Sequence, residues 1–226
     1  MTDNILSAKN LTITYDTDKP PVFSGLSFDV ARGETLGICG KSGCGKSSIA
    51  LAITRMLSYF GGAATGEILY SGKDLLSISE KEMRQIRWRE IAMVPQSSMN
   101  ALNPVYRIQK TLEETIETHS GKIPRDALKD RCRELMGLVL LGPRELHSYP
   151  HELSGGMRQR VSIALALALS PRLIILDEAT TGLDVLVEAD ILHTIRRIKR
   201  EMNISLVFIT HDLRLQQAFC DRRLEL

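Results

Sequence analysis

Eight consecutive residues, Gly40-Lys41-Ser42-Gly43-Cys44-Gly45-Lys46-Ser47, match the phosphate-cradling pattern G-x-x-x-x-G-K-[ST] at every fixed position. Glycines let the backbone curl into a concave nest of N–H donors, and a helix starting there adds partial positive charge. Lys46 is expected to reach the β- and γ-phosphates of a nucleotide, and Ser47 to ligate Mg²⁺. A glycine- and serine-rich surface turn would share this composition, so the flanks decide. Thr35-Leu36-Gly37-Ile38-Cys39 reads as a buried strand, and Ile49-Ala50-Leu51-Ala52-Ile53 as the opening of a helix. That context predicts a nucleoside triphosphate site.

A second cluster follows another apolar run. Leu173-Ile174-Ile175-Leu176-Asp177-Glu178 sets two carboxylates at the end of a buried strand, where open α/β sheets place their ligands. Asp177 suits a Mg²⁺ ion held beside the phosphate loop, and Glu178 suits a general base acting on water. Taken alone, the pair would serve equally well to cap the next helix. Leu153-Ser154-Gly155-Gly156-Met157-Arg158-Gln159 is a further glycine-rich turn at a helix start. A simple Ser N-cap explains it locally. As an anion site it implies two chains facing each other, each offering residues 154–156 to the other's γ-phosphate.

Strands and helices must carry these residues to one place. Leu11, Ile13 and Tyr15, and then Leu26, Phe28 and Val30, alternate with polar residues. Two half-exposed antiparallel strands are expected, with a turn near Lys19-Pro20-Pro21. The helix after the phosphate loop is expected to break near Gly61-Gly62. Ile68 and Tyr70 resume the alternation before a Ser71-Gly72-Lys73 turn, and residues 91–94 form another short strand. Ile108, Leu112 and Ile116, then Leu128, Cys132, Leu135, Met136 and Val139, recur at helical spacing. Residues 173–176 and 206–209 read as parallel strands buried on both faces. Between them Leu183, Val187, Ile191, Ile195, Ile198 and Met202 make a core-facing helical stripe. The class is α/β: a nucleotide-binding core, an antiparallel β subdomain and an inserted helical subdomain. The chain is expected to be one domain over 1–226, with 1–96 and 157–226 as core and 97–156 as the helical part.

Composition sets outer limits. At 43% apolar and 25% charged, the 226 residues suit one sizeable soluble domain. A net charge of +2 demands neither nucleic acid nor an anionic membrane as partner. The longest apolar run, residues 163–169, is too short to span a bilayer, and no leader sequence is expected. Four cysteines, Cys39, Cys44, Cys132 and Cys220, lack C-x-x-C pairing and are expected to be reduced thiols holding no metal. Cys44, within the phosphate nest, is expected to be the reactive one.

With these residues laid out, the chain resembles the nucleotide-binding subunit of an ATP-binding cassette (ABC) transporter. The carriers are the phosphate loop, Gln96 in Val94-Pro95-Gln96, the signature 153–159, Asp177-Glu178, Thr181-Gly182-Leu183-Asp184 and His211 in Ile209-Thr210-His211-Asp212. They occur in the family's order over residues 15–212. The resemblance implies the ABC ATPase fold, ATP and Mg²⁺ as ligands, and ATP hydrolysis coupled to transport. It implies that Tyr15 stacks on adenine, that Ser48 joins loop residues 40–47 around the phosphates, and that Gln96 touches Mg²⁺ or the lytic water. Catalysis would then rest on Glu178, His211, Gln96 and Lys46, with His211 contacting the γ-phosphate and Asp184 communicating across a dimer. Mg²⁺ would be held by Ser47, Gln96 and Asp177.

A narrower likeness joins residues 80–91, 96–105 and 149–157, with Met157 in the signature, to the oligopeptide, dipeptide and nickel importer branch. It implies a homodimer or a heterodimer with a related ATPase, two membrane permeases, an extracytoplasmic binding protein, and a peripheral place on the cytoplasmic membrane face. A mechanical cassette ATPase of DNA repair or translation is the alternative. Two departures stand out. Ala179 replaces the family's usual proline, and the sequence stops at Leu226 where the family continues through further strands and a C-terminal extension. No iron–sulfur site is expected.

Overall fold

A computed structural model describes residues 3–16, 18–96 and 102–226. Residues 97–101 of the importer-like stretch lie outside the described residues. The centre is a five-stranded sheet of β3 (Thr35–Cys39), β6 (Ile91–Val94), β7 (Leu173–Asp177), β8 (Ser205–Ile209) and β9 (Arg222–Glu225). The order is β6-β7-β8-β3-β9, and every pairing is parallel. Strands β3, β7 and β8 are buried at every residue, as their unbroken apolar runs predict. Parallel alignment puts the carboxyl ends of β3, β6, β7 and β8 at one edge of the sheet.

A second sheet, antiparallel and ordered β2-β1-β4-β5, is built from β1 (Asn4–Thr14), β2 (Phe23–Ala31), β4 (Ala63–Tyr70) and β5 (Lys73–Asp74). Tyr15 falls just beyond β1.

Two hydrophobic cores share the parallel sheet. Leu173, Ile175, Val207 and Ile209 face a core with the antiparallel sheet and helix α1 (Lys46–Ile53). Ile174, Leu176, Leu206 and Phe208 face the other core. There they meet α3 (Ile108–Ser120), α4 (Arg125–Leu138), α5 (Gly155–Ala166) and α6 (Val185–Met202), as the strand period of two requires. The expected helical positions 108, 112, 116, 128, 132, 135 and 136 are all buried in that second core. In α6, Ile191, Ile195 and Ile198 are buried, whereas Leu183 lies in the loop before the helix.

Two elements differ from expectation. Helix α1 stops at Ile53, well before Gly61-Gly62. Thr54 Oγ1 donates to Ala50 O at 2.9 Å, Arg55 turns left-handed at φ +53°, and Met56 N closes on Leu51 O at 2.7 Å. That reversal satisfies the last carbonyls and ends the helix. Helix α2 (Glu80–Ile86), for which the apolar pattern gives no sign, starts from a capping box between Ser79 and Glu82. A last helix, α7 (Leu213–Phe219), precedes β9. Among the described residues no helix is long and apolar enough to cross a membrane.

Candidate nucleotide site

The loop after β3 has the shape its glycines imply. Gly43 and Gly45 hold φ +79° and +95°, and Cys44 N donates to Lys41 O at 3.2 Å. A Cβ on Gly45 would lie 2.2 Å from Val22 Cγ1, so both backbone sign and space demand glycine there. Lys46 is only 5% exposed, yet its Nζ donates to Gly40 O and Lys41 O at 3.0 Å each. The ammonium thus bridges two carbonyls at the start of the loop. Tyr15 OH shares a 2.9 Å hydrogen bond with Ser48 Oγ, and its ring edge packs on Gly62. Tyr15 as a whole remains 40% exposed.

Three other strands end at the same edge of the sheet. Asp177, last residue of β7, is 2% exposed and its Oδ1 has no hydrogen-bond partner. Burial pushes its carboxyl pKa up; the Ser47 hydroxyl opposes this, the Glu178 charge reinforces it, and the Lys46 charge opposes it. A buried, unpaired carboxylate oxygen beside a serine hydroxyl is a costly arrangement that a cation would relieve. Mg²⁺ commonly takes one or two protein oxygens and completes its shell with phosphate and water, so Asp177 and Ser47 fit it.

Glu178 adopts a left-handed backbone, φ +48°, anchored by its N–H to Ile209 O at 2.9 Å. That conformation is uncommon outside glycine and collects at functional sites. It turns the side chain between the ends of β6 and β8. Gln96 Nε2 donates to Glu178 Oε2 at 3.1 Å, and His211 Nδ1 lies 3.3 Å from Oε1. The three residues expected at the reacting end are thus brought into one hydrogen-bonded row. Sequence spacing gives no hint of this contact, because it depends on β7 lying between β6 and β8.

The remaining expected residues lie apart from that row. Ser154 Oγ accepts from Met157 N at 3.3 Å and caps α5, while Asp184 Oδ1 accepts from Val187 N at 3.0 Å and caps α6. Gly156 presses on α6, where a Cβ would lie 2.5 Å from Val187 Cγ1. Among the described residues no hydrogen bond or ion pair joins 154–156 or Asp184 to residues 40–48. Within one chain the two glycine-rich turns remain separate.

Sequence reasoning missed a groove of about 450 Å³ between the core and the helical part, lined by Leu51, Met56, Phe60, Trp88, Pro95 and Leu102 among others. Trp88 holds φ +69° there, a strained state for a bulky residue.

The cysteines separate by environment. Burial pushes the Cys220 thiol up to about 12, the Cys132 thiol up to about 11, and the Cys39 thiol upward as well. All three therefore remain protonated near neutrality, and a thiol attacks slowly in that form. Cys44 is half-buried in the phosphate loop, its Sγ against Gly40. One equivalent of iodoacetamide at pH 8 is expected to label Cys44 first, and saturating ATP to slow that labelling about tenfold or more. Peptide mass spectrometry reads the result; equal Cys44 rates with and without ATP would count against a nucleotide over this loop.

Comparison with known proteins agrees with this geometry. The family model described as "ABC transporter" matches residues 23–181. The oligopeptide transport ATP-binding protein OppD of Bacillus subtilis is 42% identical, the match covering 96% of this chain and 62% of that protein. The dipeptide transport ATP-binding protein DppD of Caldanaerobacter subterraneus is 42% identical over 88% of this chain and 61% of that protein. The chain thus spans about three-fifths of the length of these curated relatives. Among solved structures, the cassette MJ0796, described as a dimeric post-hydrolysis state bound to ADP and Pi, superposes with a TM-score of 0.84 at 27% identity, covering 98% of this chain and 94% of that one. A family match over most of the chain, together with relatives above 40% identity, makes this chain a member of the ABC transporter family, with the ABC ATPase fold.

Proposed function

We propose that this chain is the ATP-hydrolysing subunit of an importer, works as a nucleotide-sandwich dimer, and drives two membrane permeases from the cytoplasmic face. Peptides are the cargo this reading favours, because the relatives above carry peptide-transport names. The nickel option rests on the sequence resemblance alone. The observation that carries the reading is the row Gln96–Glu178–His211 set beside Lys46, Ser47 and Asp177 at one sheet edge.

In this reading the exposed Tyr15 stacks on adenine, and the amides of residues 40–48 with Lys46 take the phosphates. Asp177 and Ser47 would hold Mg²⁺, assisted by Gln96, and the ion would offset phosphate charge. Glu178 accepts a proton from the attacking water as the new phosphorus–oxygen bond forms and the bond to the ADP oxygen breaks. His211 and Gln96, already on either side of the carboxylate, hold its orientation. The helical part, described from residue 102 to 156, presents Ser154, Gly155 and Gly156 to the γ-phosphate of a facing chain, with Asp184 beside them. The groove around Trp88 and Phe60 offers an apolar seat for a cytoplasmic permease helix. Nothing in the fold favours the mechanical alternative in DNA repair or translation.

Each chain supplies half of each site, so turnover should depend on chain encounter. ATPase rate per milligram is expected to rise with protein concentration through the low-micromolar range and then level off. A rate per milligram that stays constant over a hundredfold dilution would refute the composite site.

A further inference from the structure

The helical part holds another cavity, about 290 Å³ in volume, lined by Gln109, Lys129, Arg133, Pro143, Leu146 and His147. None of these residues belongs to the nucleotide site or to the apolar groove around Trp88. Lys129 and Arg133 stand four apart on α4 and so share one helix face, beside the stripe of Leu128, Cys132, Leu135 and Met136 that enters the core. Gln109 comes from the first turn of α3. Pro143, Leu146 and His147 come from the turn after α4, where His147 N donates to Arg144 O at 3.0 Å.

The lining carries cations with little to neutralise them. Lys129 is half-buried, and among the described residues its ammonium has neither a hydrogen bond nor an ion pair. The imidazole of His147 likewise has no partner among them. Arg133 meets Asp130 at 2.7 Å, in a pair whose side chains are both exposed. Such a pair is weak, and the other N–H donors of the guanidinium stay available. No Asp or Glu lines the cavity. Of the acids on the same elements, Glu113 accepts from Gln109 Nε2 at 2.7 Å, and Glu145 packs its carboxylate on Gly142.

We infer that this cavity binds a small organic phosphate, a phosphomonoester of sugar size, apart from the nucleotide site. A phosphomonoester carries about 1.5–2 negative charges near neutrality, which the ammonium of Lys129 and the guanidinium of Arg133 match. A monocarboxylate would leave one of the two cations unpaired. The guanidinium fork takes two phosphate oxygens at once, and the lysine adds a movable point charge. His147 and the remaining amide hydrogen of Gln109 can donate to a third oxygen or to a sugar hydroxyl. Pro143 and Leu146 give the carbon skeleton an apolar wall. Ligand pockets run from about 300 to 1,000 Å³. A volume at the bottom of that range suits a sugar phosphate better than a second nucleotide.

Titration calorimetry on the full chain tests this, with saturating ADP and Mg²⁺ present to occupy the phosphate loop. The probes are ribose 5-phosphate, inorganic phosphate and ribose. The expected result is a single ribose 5-phosphate per chain, inorganic phosphate bound about tenfold more weakly, and no heat from ribose. Lys129→Gln and Arg133→Gln are each expected to weaken ribose 5-phosphate about tenfold or more. Arg200→Gln, at an exposed position of α6 outside the cavity, should leave its affinity unchanged. Lys129 and Arg133 lie outside the core, and thermal melts check that the variants remain folded. No binding of ribose 5-phosphate up to about 10 mM overturns the site, as does an affinity that neither lining substitution alters. Equal affinity for ribose 5-phosphate and inorganic phosphate overturns the organic ligand and leaves a bare anion cavity.

Discussion

Glu178→Gln is expected to leave ATP binding within about twofold of the unmodified chain and to cut steady-state hydrolysis by roughly 10²–10⁴-fold, the usual worth of a positioned general base. Glutamine retains the shape and both hydrogen-bonding ends of the side chain. Its carbonyl can accept from Gln96 Nε2, and its amide can donate to an unprotonated His211 Nδ1, so the row at 3.1 and 3.3 Å need not fall apart. What is lost is basicity: the amide cannot take the proton from water. ATP is then held and not consumed, so closed dimer should accumulate. Phosphate release and light scattering on the same sample read both effects. Hydrolysis near the unmodified rate would remove Glu178 from the role of base. Loss of dimer together with loss of hydrolysis would mean that the carboxylate acts in assembly.

Lys46→Ala is expected to act a step earlier, weakening ATP binding by about 10²-fold or more, since charge-assisted hydrogen bonds contribute about 1.5–3 kcal/mol each. The lysine is buried at 5% exposure and without nucleotide already spends two hydrogen bonds on the carbonyls of Gly40 and Lys41. Those bonds tie the first turn of α1 back to the start of the loop. Alanine removes both the phosphate partner and that internal clasp, so the chain should also melt a few degrees lower. Dialysis against labelled ATP and a thermal melt separate the two losses. Unchanged ATP affinity would reassign Lys46 to loop structure. Comparing the pair is informative: the glutamine variant binds without turning over, whereas the alanine variant scarcely binds.

Legibility from sequence followed locality. The phosphate loop could be read because all its parts are consecutive, so one backbone path specifies the site. Strands β3, β7 and β8 could be read because burial on both faces leaves no polar position to interrupt the run. The row around Glu178 could not be derived from spacing, because its members are 82 and 33 residues away from it in sequence. Only the family resemblance placed them together. Helix α2 escaped because only Met83 and Ile86 are buried in it; its signal was the cap, not the period. Strand β9 escaped for the opposite reason: Arg222, Arg223 and Glu225 are exposed, and pairing with β3 at the sheet edge makes it a strand. The early end of α1 was set by Arg55 turning left-handed, a choice that no propensity of arginine announces.

The parallel sheet works as a wall between two rooms. Leu173, Ile175, Val207 and Ile209 furnish the nucleotide side; Ile174, Leu176, Leu206 and Phe208 furnish the side of α3–α6. Alternate residues interleave along each strand, yet among the described residues no side chain belongs to both rooms. A truncation at Ile174, Leu176, Leu206 or Phe208 therefore loosens the packing of α3–α6 and leaves in place the side chains that seat α1 behind the phosphate loop.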